Sequence, residues 1–488
     1  MFLRSALFAL AAVASASAMA ATSVSNVSFV NGIAIPGGLL DLSTGSDFDR
    51  RVGFFSDIFY DRNRNEWWGL SDRGPGGGLL PYETRVQRFT IDINPANGAI
   101  SNFQILQTVK FTDGGVAFNG QAPAVSSTLG KAFDPEGIVV NPVTGNLLVS
   151  DEYGPSLYEF NRNGQLLRTF NTPANLIPRT ASGTDYNALA PAGSTPQLIA
   201  GRQGNRGLEG LAITPDGRYA FAVLQNGLIT DGYNATTDTR GQYTRIIKYD
   251  IQTGTAVGQY AYQLASSGQG RGISALVAID ANRFLILERN NRGIGIGATL
   301  ASPDKNVFEV DLSNASDVTN INLPASGALP AGVLAAAKSG QVMDLDANTL
   351  AALGNKSPEK WEGLAIGPQL PNGKYLILAG TDNDYSVTQS GSGTQYDVYL
   401  RMTDADPYAS SIQCPVGQTT GCFTTATAGN ATPTAATLTA DYALLPGVLH
   451  AYTADISGYV AAVPEPQTYA MLLGGLGLIG LVRRQRRS

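Results

Sequence analysis

Glu362-Gly363-Leu364-Ala365-Ile366 is followed, after a turn, by Leu376-Ile377-Leu378 and then Asp382. The order is a glutamate-glycine pair, an apolar run, a reversal, a second apolar run and an acid. It recurs as Glu136-Gly137-Ile138-Val139-Val140 with Leu147-Leu148-Val149-Ser150-Asp151, and as Glu209-Gly210-Leu211-Ala212-Ile213 with Tyr219-Ala220-Phe221-Ala222-Val223. Two looser copies are Ser56-Asp57-Ile58-Phe59 with Trp68-Gly69-Leu70-Ser71-Asp72, and Ser274-Ala275-Leu276-Val277 with Phe284-Leu285-Ile286-Leu287-Glu288. Such self-similarity decides the architecture before local propensity does.

Each copy continues into a third apolar strand: 86–91, 156–160, 245–250, 306–310 and 397–400. A fourth follows in several, such as 104–109 and 258–262. Four antiparallel strands per unit, repeating roughly every 60 to 75 residues, mark the blades of a propeller. The expectation is an all-β β-propeller of six blades, with five or seven as alternatives. The sixth blade would join Val24–Ile35 to Val448–Ile456, closing the ring through the two chain ends. The propeller would occupy residues 22–460, with insertions near 171–204, 315–359 and 414–439. Ala331–Lys338 reads as a helix in the second insertion, and the Thr- and Ala-rich third reads as a mobile surface loop. Trp67 and Trp68 alternate faces of one strand, which suits blade packing.

The composition agrees with many turns and a large core: 488 residues, 43% hydrophobic, 15% charged and 56 Gly. A net charge of -6 and no basic stripe outside the last residues argue against nucleic-acid binding. The single histidine, His450, argues against a zinc hydrolase or a histidine phosphatase, and any Ser-His-Asp triad would have to use it. No G-x-S-x-G elbow and no P-loop occur. Cys414 and Cys422 stand close together and suit a disulfide pinning a loop in an oxidising compartment; a two-cysteine metal site would lack partners for a tetrahedral shell.

Both ends carry processing signals. Arg4, the apolar run from Ala6 to Val13 and Ala18-Met19-Ala20 form a secretory signal peptide over residues 1–20. At the other end, Pro464-Glu465-Pro466, an apolar run from Tyr469 to Val482 and Arg483-Arg484-Gln485-Arg486-Arg487 read as a transient transmembrane anchor. Residues 463–488 resemble the PEP-CTERM sorting tag of Gram-negative bacteria. The resemblance implies export across the inner membrane and cleavage near Pro464 by an exosortase. Delivery would be to the cell surface, outer envelope or extracellular matrix.

Propeller geometry converts the repeat into a site. The start of each inner strand and the end of the next lie on one face. Glu136, Glu209 and Glu362 hold the starts; Asp72, Asp151, Glu288 and Asp382 hold the ends. All seven are expected around one mouth of the channel. Gathered carboxylates repel and raise one another's pKa unless cations offset them. Their hard oxygens suit Ca²⁺, with Mg²⁺ as the alternative. Arg73 and Arg289, beside these acids, could pair with them or clamp an anionic substrate. The competing reading is architectural, with each Glu-Gly bonding backbone amides of a neighbouring blade.

The copies Asp134-Pro135-Glu136-Gly137, Leu208-Glu209-Gly210-Leu211-Ala212 and Trp361-Glu362-Gly363-Leu364-Ala365, with Leu70-Ser71-Asp72-Arg73-Gly74, resemble the phytase-like family ("esterase-like activity of phytase") over roughly residues 50 to 400. The resemblance implies phosphate-ester hydrolysis and points to Asp72, Glu136, Asp151, Glu209, Glu288 and Glu362. The expected function is a secreted, calcium-dependent phosphomonoesterase or phosphodiesterase. Glu136, Glu209, Glu362 and Arg73 would be catalytic; Asp72, Asp151, Glu288 and Asp382 would hold metal. Its partners would be a phosphate-ester or other anionic small molecule, the exosortase and, briefly, the membrane; a monomer is expected. The alternatives are a non-enzymatic matrix-binding propeller and a lactonase-type calcium propeller.

Overall fold

Short apolar strands bounded by Asn-Gly and Asp-Gly turns pair antiparallel, and here they assemble in fours. The computed structural model describes residues 22–265, 268, 270–297, 299–388, 393–424 and 433–461. The expected signal peptide and sorting tag lie outside them. Five sheets begin at the inner strands Asp57–Asp61, Pro135–Val140, Leu208–Ile213, Gly272–Ala278 and Trp361–Gln369. Each inner strand packs against the next, and the fifth packs against the first. Among the described residues the ring therefore closes with five blades, numbered here in chain order, and not with the six expected.

The missing blade has a simple cause. The chain ends do close the ring, but by completing blade 5. Its order is Trp361–Gln369, Tyr375–Thr381, Gly447–Ile456, Val24–Ile35. Ile377 pairs with Tyr452, and Ala34 with Val448. Residues 397–400 are displaced from the blade. They lie in Tyr396–Arg401, part of an appended four-stranded sheet with Ile412–Pro415, Phe423–Thr424 and Tyr442–Leu444. Of the third insertion, expected to be a loop, only Cys414, Pro415, Phe423 and Thr424 enter these strands; the rest of its described residues are turn or irregular, and residues 425–432 lie outside the described chain. Cys414 and Cys422 form the disulfide within it, both buried.

The expected helix at Ala331–Lys338 is also absent. Residues 331–336 are irregular, and Ala337–Asp344 is the outer strand of blade 4. Helix propensity is a weak prior that tertiary pairing overrides, and here pairing with Lys305–Asp311 adds the fourth strand of blade 4.

The core lies between blades. Trp67 packs with Tyr60 and Phe89 on one face of blade 1; Trp68 packs with Phe111, Phe133 and Phe160 on the other. Burying such a side chain stabilises the fold by about 2–3 kcal/mol. These interfaces hold the inner strands rigidly and so fix the channel.

Candidate active site at one mouth of the channel

The Glu-Gly pair has a structural reason. In blades 2 to 5 the pairing of the first two strands slips at the same place: between Pro135 and Ile138, Leu208 and Leu211, Ile273 and Ala275, and Trp361 and Gly363. Each slip is a β-bulge, which leaves one residue unpaired and re-aims its side chain. The glutamates at three of these bulges turn into the channel mouth. The glycines let the next blade approach. A Cβ on Gly137 would stand 2.5 Å from Glu209 O, and one on Gly210 would stand 2.4 Å from Leu276 N.

A cavity of about 350 Å³ opens there. Glu136, Glu209 and Glu362 line it from the inner strands, and Asp72, Arg73 and Asp382 from the ends of the second strands. Asp151 and Glu288 do not join them. The Asp151 carboxylate accepts from the amides of Asp134 (3.0 Å), Tyr153 (3.1 Å) and Gly154 (2.9 Å). Glu288 accepts from Tyr262 Oη (2.6 Å) and Ala265 N (3.0 Å), and pairs with Arg271 and Lys338.

The bulge explains this offset. Asp151, Leu224, Glu288 and Thr381 pair with the residue before each bulge. Strand neighbours face opposite ways, so the next residues, Glu152, Gln225, Arg289 and Asp382, face the mouth. Sequence reasoning missed Glu152 by one position. It also missed Asp134, Glu359, Lys360 and Asp384, which flank the motifs, and Arg206 and Arg240 from the long connections. The doublets Asp151-Glu152 and Glu359-Lys360 were the available signal.

Two carboxylate groups could hold a metal: Asp72 with Asp134 and Glu136, and Asp72 with Asp382 and Asp384, their oxygens within 4.8 Å of one another. Both are buried, and Asp72 belongs to both. Arg73 Nη1 donates to Asp134 (2.7 Å), and Lys360 Nζ donates to Asp382 (2.9 Å) and to Asp384. Arg206, Arg240 and Arg289 line the same mouth. Arg240 donates to Gly270 O (2.9 Å), while Arg289 donates to Ser274 Oγ (2.8 Å) and to Glu362. The mouth thus brings buried carboxylates and arginines together.

Burial dominates the electrostatics. It raises Asp72 well above the carboxylate range, with Asp382 adding to it and Lys360 opposing. It likewise raises Glu136, reinforced by Glu209, and raises Glu209, reinforced by Glu152 and Glu362. Burial, with Asp134 beside it, pushes Glu152 up to about 8. Burial raises Glu362 too, but Arg289 and Lys360 pull it back. Burial and the neighbouring Arg206 push Arg240 down to about 10. Among the described residues, Glu209 Oε2 and Glu152 Oε1 are buried with no hydrogen-bond partner, as is Arg73 Nε. Unpaired buried oxygens amid like charges fit a site that takes a cation, because an unmet buried acceptor costs about 1–3 kcal/mol.

Deeper in, the channel changes character. Asp57 Oδ1 accepts from Ile58 N and its Oδ2 from Ile138 N (both 2.8 Å), with Leu364 N also near. The architectural reading holds for this acid, which ties blades 1, 2 and 5. Beyond it Ile58, Ile138, Leu211, Leu276 and Leu364 line an apolar cavity of about 70 Å³.

Comparison with known proteins agrees with these features. The family model Phytase-like, "Esterase-like activity of phytase", matches residues 50–385. A PEP-CTERM protein-sorting motif matches residues 462–487. The chain is 26% identical over 415 residues to a protein of Arthroderma benhamiae described as an uncharacterized secreted protein, covering 67% of this chain and 79% of the relative. Among solved structures, the Dos1 propeller is similar at 9% identity and a TM-score of 0.25, over 83% of this chain and 69% of that one. The hydrazine synthase of Kuenenia stuttgartiensis is similar at 14% identity and a TM-score of 0.29, over 71% and 81%. Likeness at this level says nothing of activity.

Proposed function

We propose, from the premise that the chain belongs to the phytase-like family, that it is an exported hydrolase of phosphate esters whose reaction takes place at the acidic mouth. The observation that carries this reading is the meeting at one mouth of buried carboxylates, Glu209 Oε2 unmet among the described residues, with Arg206, Arg240 and Arg289. A phosphate ester needs both: cations for its oxygens and groups that move protons.

Asp72 with Asp134 and Glu136, and Asp72 with Asp382 and Asp384, are the residues that would hold a divalent ion; calcium suits their oxygens, and magnesium is the alternative. Such an ion supplies charge stabilisation at a phosphoryl oxygen and a more acidic water. The other roles belong to the chain. Arg206, Arg240 and Arg289 bind and orient the anionic phosphate. Arg73 holds Asp134 in place and stands at the edge of the phosphate site. Glu362, drawn toward ionisation by Arg289 and Lys360, accepts the proton of the attacking water. Glu209, raised by burial and by Glu152 and Glu362, keeps a proton and gives it to the leaving oxygen as the ester bond breaks. The sorting motif supports export, exosortase cleavage near Pro464-Glu465-Pro466 and release at the cell surface, outer envelope or extracellular matrix.

The test is hydrolysis of p-nitrophenyl phosphate and its bis-ester by folded residues 22–461, with Ca²⁺ and then with chelator. Turnover lost on chelation is the expected result. No turnover in either condition would sink the reading. The second reading, a matrix-binding propeller, draws on the sorting motif, which is an address and not a chemistry. Saccharide or protein binding without turnover would support it.

A further inference from the structure

The far end of the channel is crossed by the chain itself. Past Gly447–Ile456, Ser457 N donates to Ser23 O (2.9 Å) and Val460 N donates to Ile279 O (3.0 Å), carrying the chain from blade 5 to blade 4. Tyr459 is clamped on the way. Its ring packs on Tyr375 with centroids 4.9 Å apart, and the Arg62 guanidinium lies 5.1 Å over it. Arg62 Nη2 also donates to Tyr459 Oη (3.3 Å) and to Gly367 O (2.5 Å). Tyr459 and Val460 line the apolar cavity together with Val140, Ile213 and Ile366. Those three residues lie further along the inner strands whose beginnings carry Glu136, Glu209 and Glu362. The acidic mouth and the crossing chain therefore stand at opposite ends of one channel.

The sorting motif begins at residue 462, directly after this strap. From Val460 to Tyr469, where the apolar run opens, even a fully extended chain reaches at most about 30 Å. We infer that the strap Ser457–Val460 is an orienting device. It brings the tail out at the channel axis on the face opposite the site, so that a chain held by its sorting segment presents the acidic mouth away from the surface that holds it. Until the tag is cleaved, the substrate comes from the surrounding solution as a soluble phosphate ester, and phospholipids of the holding bilayer lie out of reach. The identity of the substrate rests on the proposed function; the orientation does not.

The orientation is measured by lipid quenching. The two native cysteines form the disulfide, so one introduced cysteine is the only free thiol. Gln121→Cys places a fluorophore on the mouth side, beside the Arg73 loop, and Val143→Cys places one on the strap side, in the turn after Val140. The full chain is reconstituted into phosphatidylcholine vesicles carrying spin-labelled lipid, and the fraction that floats with the vesicles is read. At least twofold stronger quenching at Val143 than at Gln121 is expected. Equal quenching, or stronger quenching at Gln121, overturns the inference. Adding Arg62→Ala and Tyr459→Ala should narrow the difference; an unchanged difference shows that the strap does not orient the propeller. Turnover of p-nitrophenyl phosphate on the same vesicles is a separate readout. Its absence would defeat the proposed chemistry and leave the quenching result standing.

Discussion

Gln225 Nε2 donates to Glu209 Oε1 at 2.6 Å across the first two strands of blade 3, and Glu209 Oε2 is left buried with no partner among the described residues. Gln225 occupies the position that is Glu152 in blade 2 and Asp382 in blade 5. One carboxylate in the ring has thus been replaced by a donor that steadies a glutamate without neutralising it.

This pair predicts a trade between stability and activity. Glu209→Gln removes a buried carboxyl from among Glu152 and Glu362. Chelated protein should gain about 1 kcal/mol of stability, while turnover should fall by about 100-fold or more through loss of the proton donor. Denaturant melts and p-nitrophenyl phosphate kinetics on the same preparation decide it. A variant that is both less stable and fully active would remove Glu209 from the mechanism.

Calcium should stabilise the wild type through Asp72, the carboxylate common to both clusters. At 100 times its Kd the ion contributes about 2.7 kcal/mol. Asp72→Asn should lose that gain. Asp151→Asn should keep it while lowering stability, since Asp151 spends its oxygens on backbone amides. Thermal melts with and without calcium separate the two.

The same acids set a pH dependence. Burial raises Glu152 to about 8 and Asp384 to about 7. Between the ordinary carboxylate range and those values the folded chain binds more protons than the unfolded one, so stability falls as pH rises from about 5 to 8. Calcium, which needs the ionised forms, should flatten this slope. Melting temperatures across that range in chelator and in calcium provide the check.

Arg240 is predicted to act on binding more than on chemistry. It lines the mouth and donates to Gly270 O instead of to any of the three glutamates. Arg240→Ala should raise KM for a phosphate ester about 10- to 100-fold and change kcat by less than about fivefold. A loss confined to kcat would place it in the transition state instead.

His450 should weaken the fold in acid. It is buried against Trp361 and Phe29, and burial pushes its pKa down to about 4. The folded chain then binds fewer protons than the unfolded one between about 6.5 and 4, so this contribution is present above that window and is lost as pH falls through it. The full effect is on the order of 2–3 kcal/mol. His450→Leu should remove that part of the acid sensitivity, read as the difference between the two proteins at pH 7 and pH 5.

Asp57 links three blades, and its loss should be severe. Asp57→Ala leaves the Ile58 and Ile138 amides unmet inside the channel and should cost about 3 kcal/mol or more. Asp57→Asn keeps an acceptor and should cost less. Equal losses for the two, by urea titration, would show that the hydrogen bonds are not the source.

Much of the molecule was legible in the chain. The Glu-Gly copies announced the blades because a recurring bulge demands a side chain that can turn inward and a glycine under the next blade. The gathering of Glu136, Glu209, Glu362, Asp72 and Asp382 followed from strand direction alone. What the chain could not settle was register. One unpaired residue at each bulge shifts the facing positions, so Asp151 and Glu288 turn away while Glu152 and Arg289 face the mouth. Spacing along a sequence does not record which residue is left unpaired.

Blade number and the arginines at the mouth also belonged to the tertiary structure. Val24–Ile35 and Gly447–Ile456 read equally well as a blade of their own or as the outer half of another; only packing between inner strands decided for five. Arg206 and Arg240 sit on long connections with no periodic signal, and only the closed ring brings them to the mouth that the acids line. The sequence by itself determined the repeating unit, the charge type of the mouth and the address at the C-terminus, because those depend on local pattern. Ring closure, register at the bulges and the meeting of acids and arginines at one mouth depend on contacts between residues far apart in the chain, and only folding decided them.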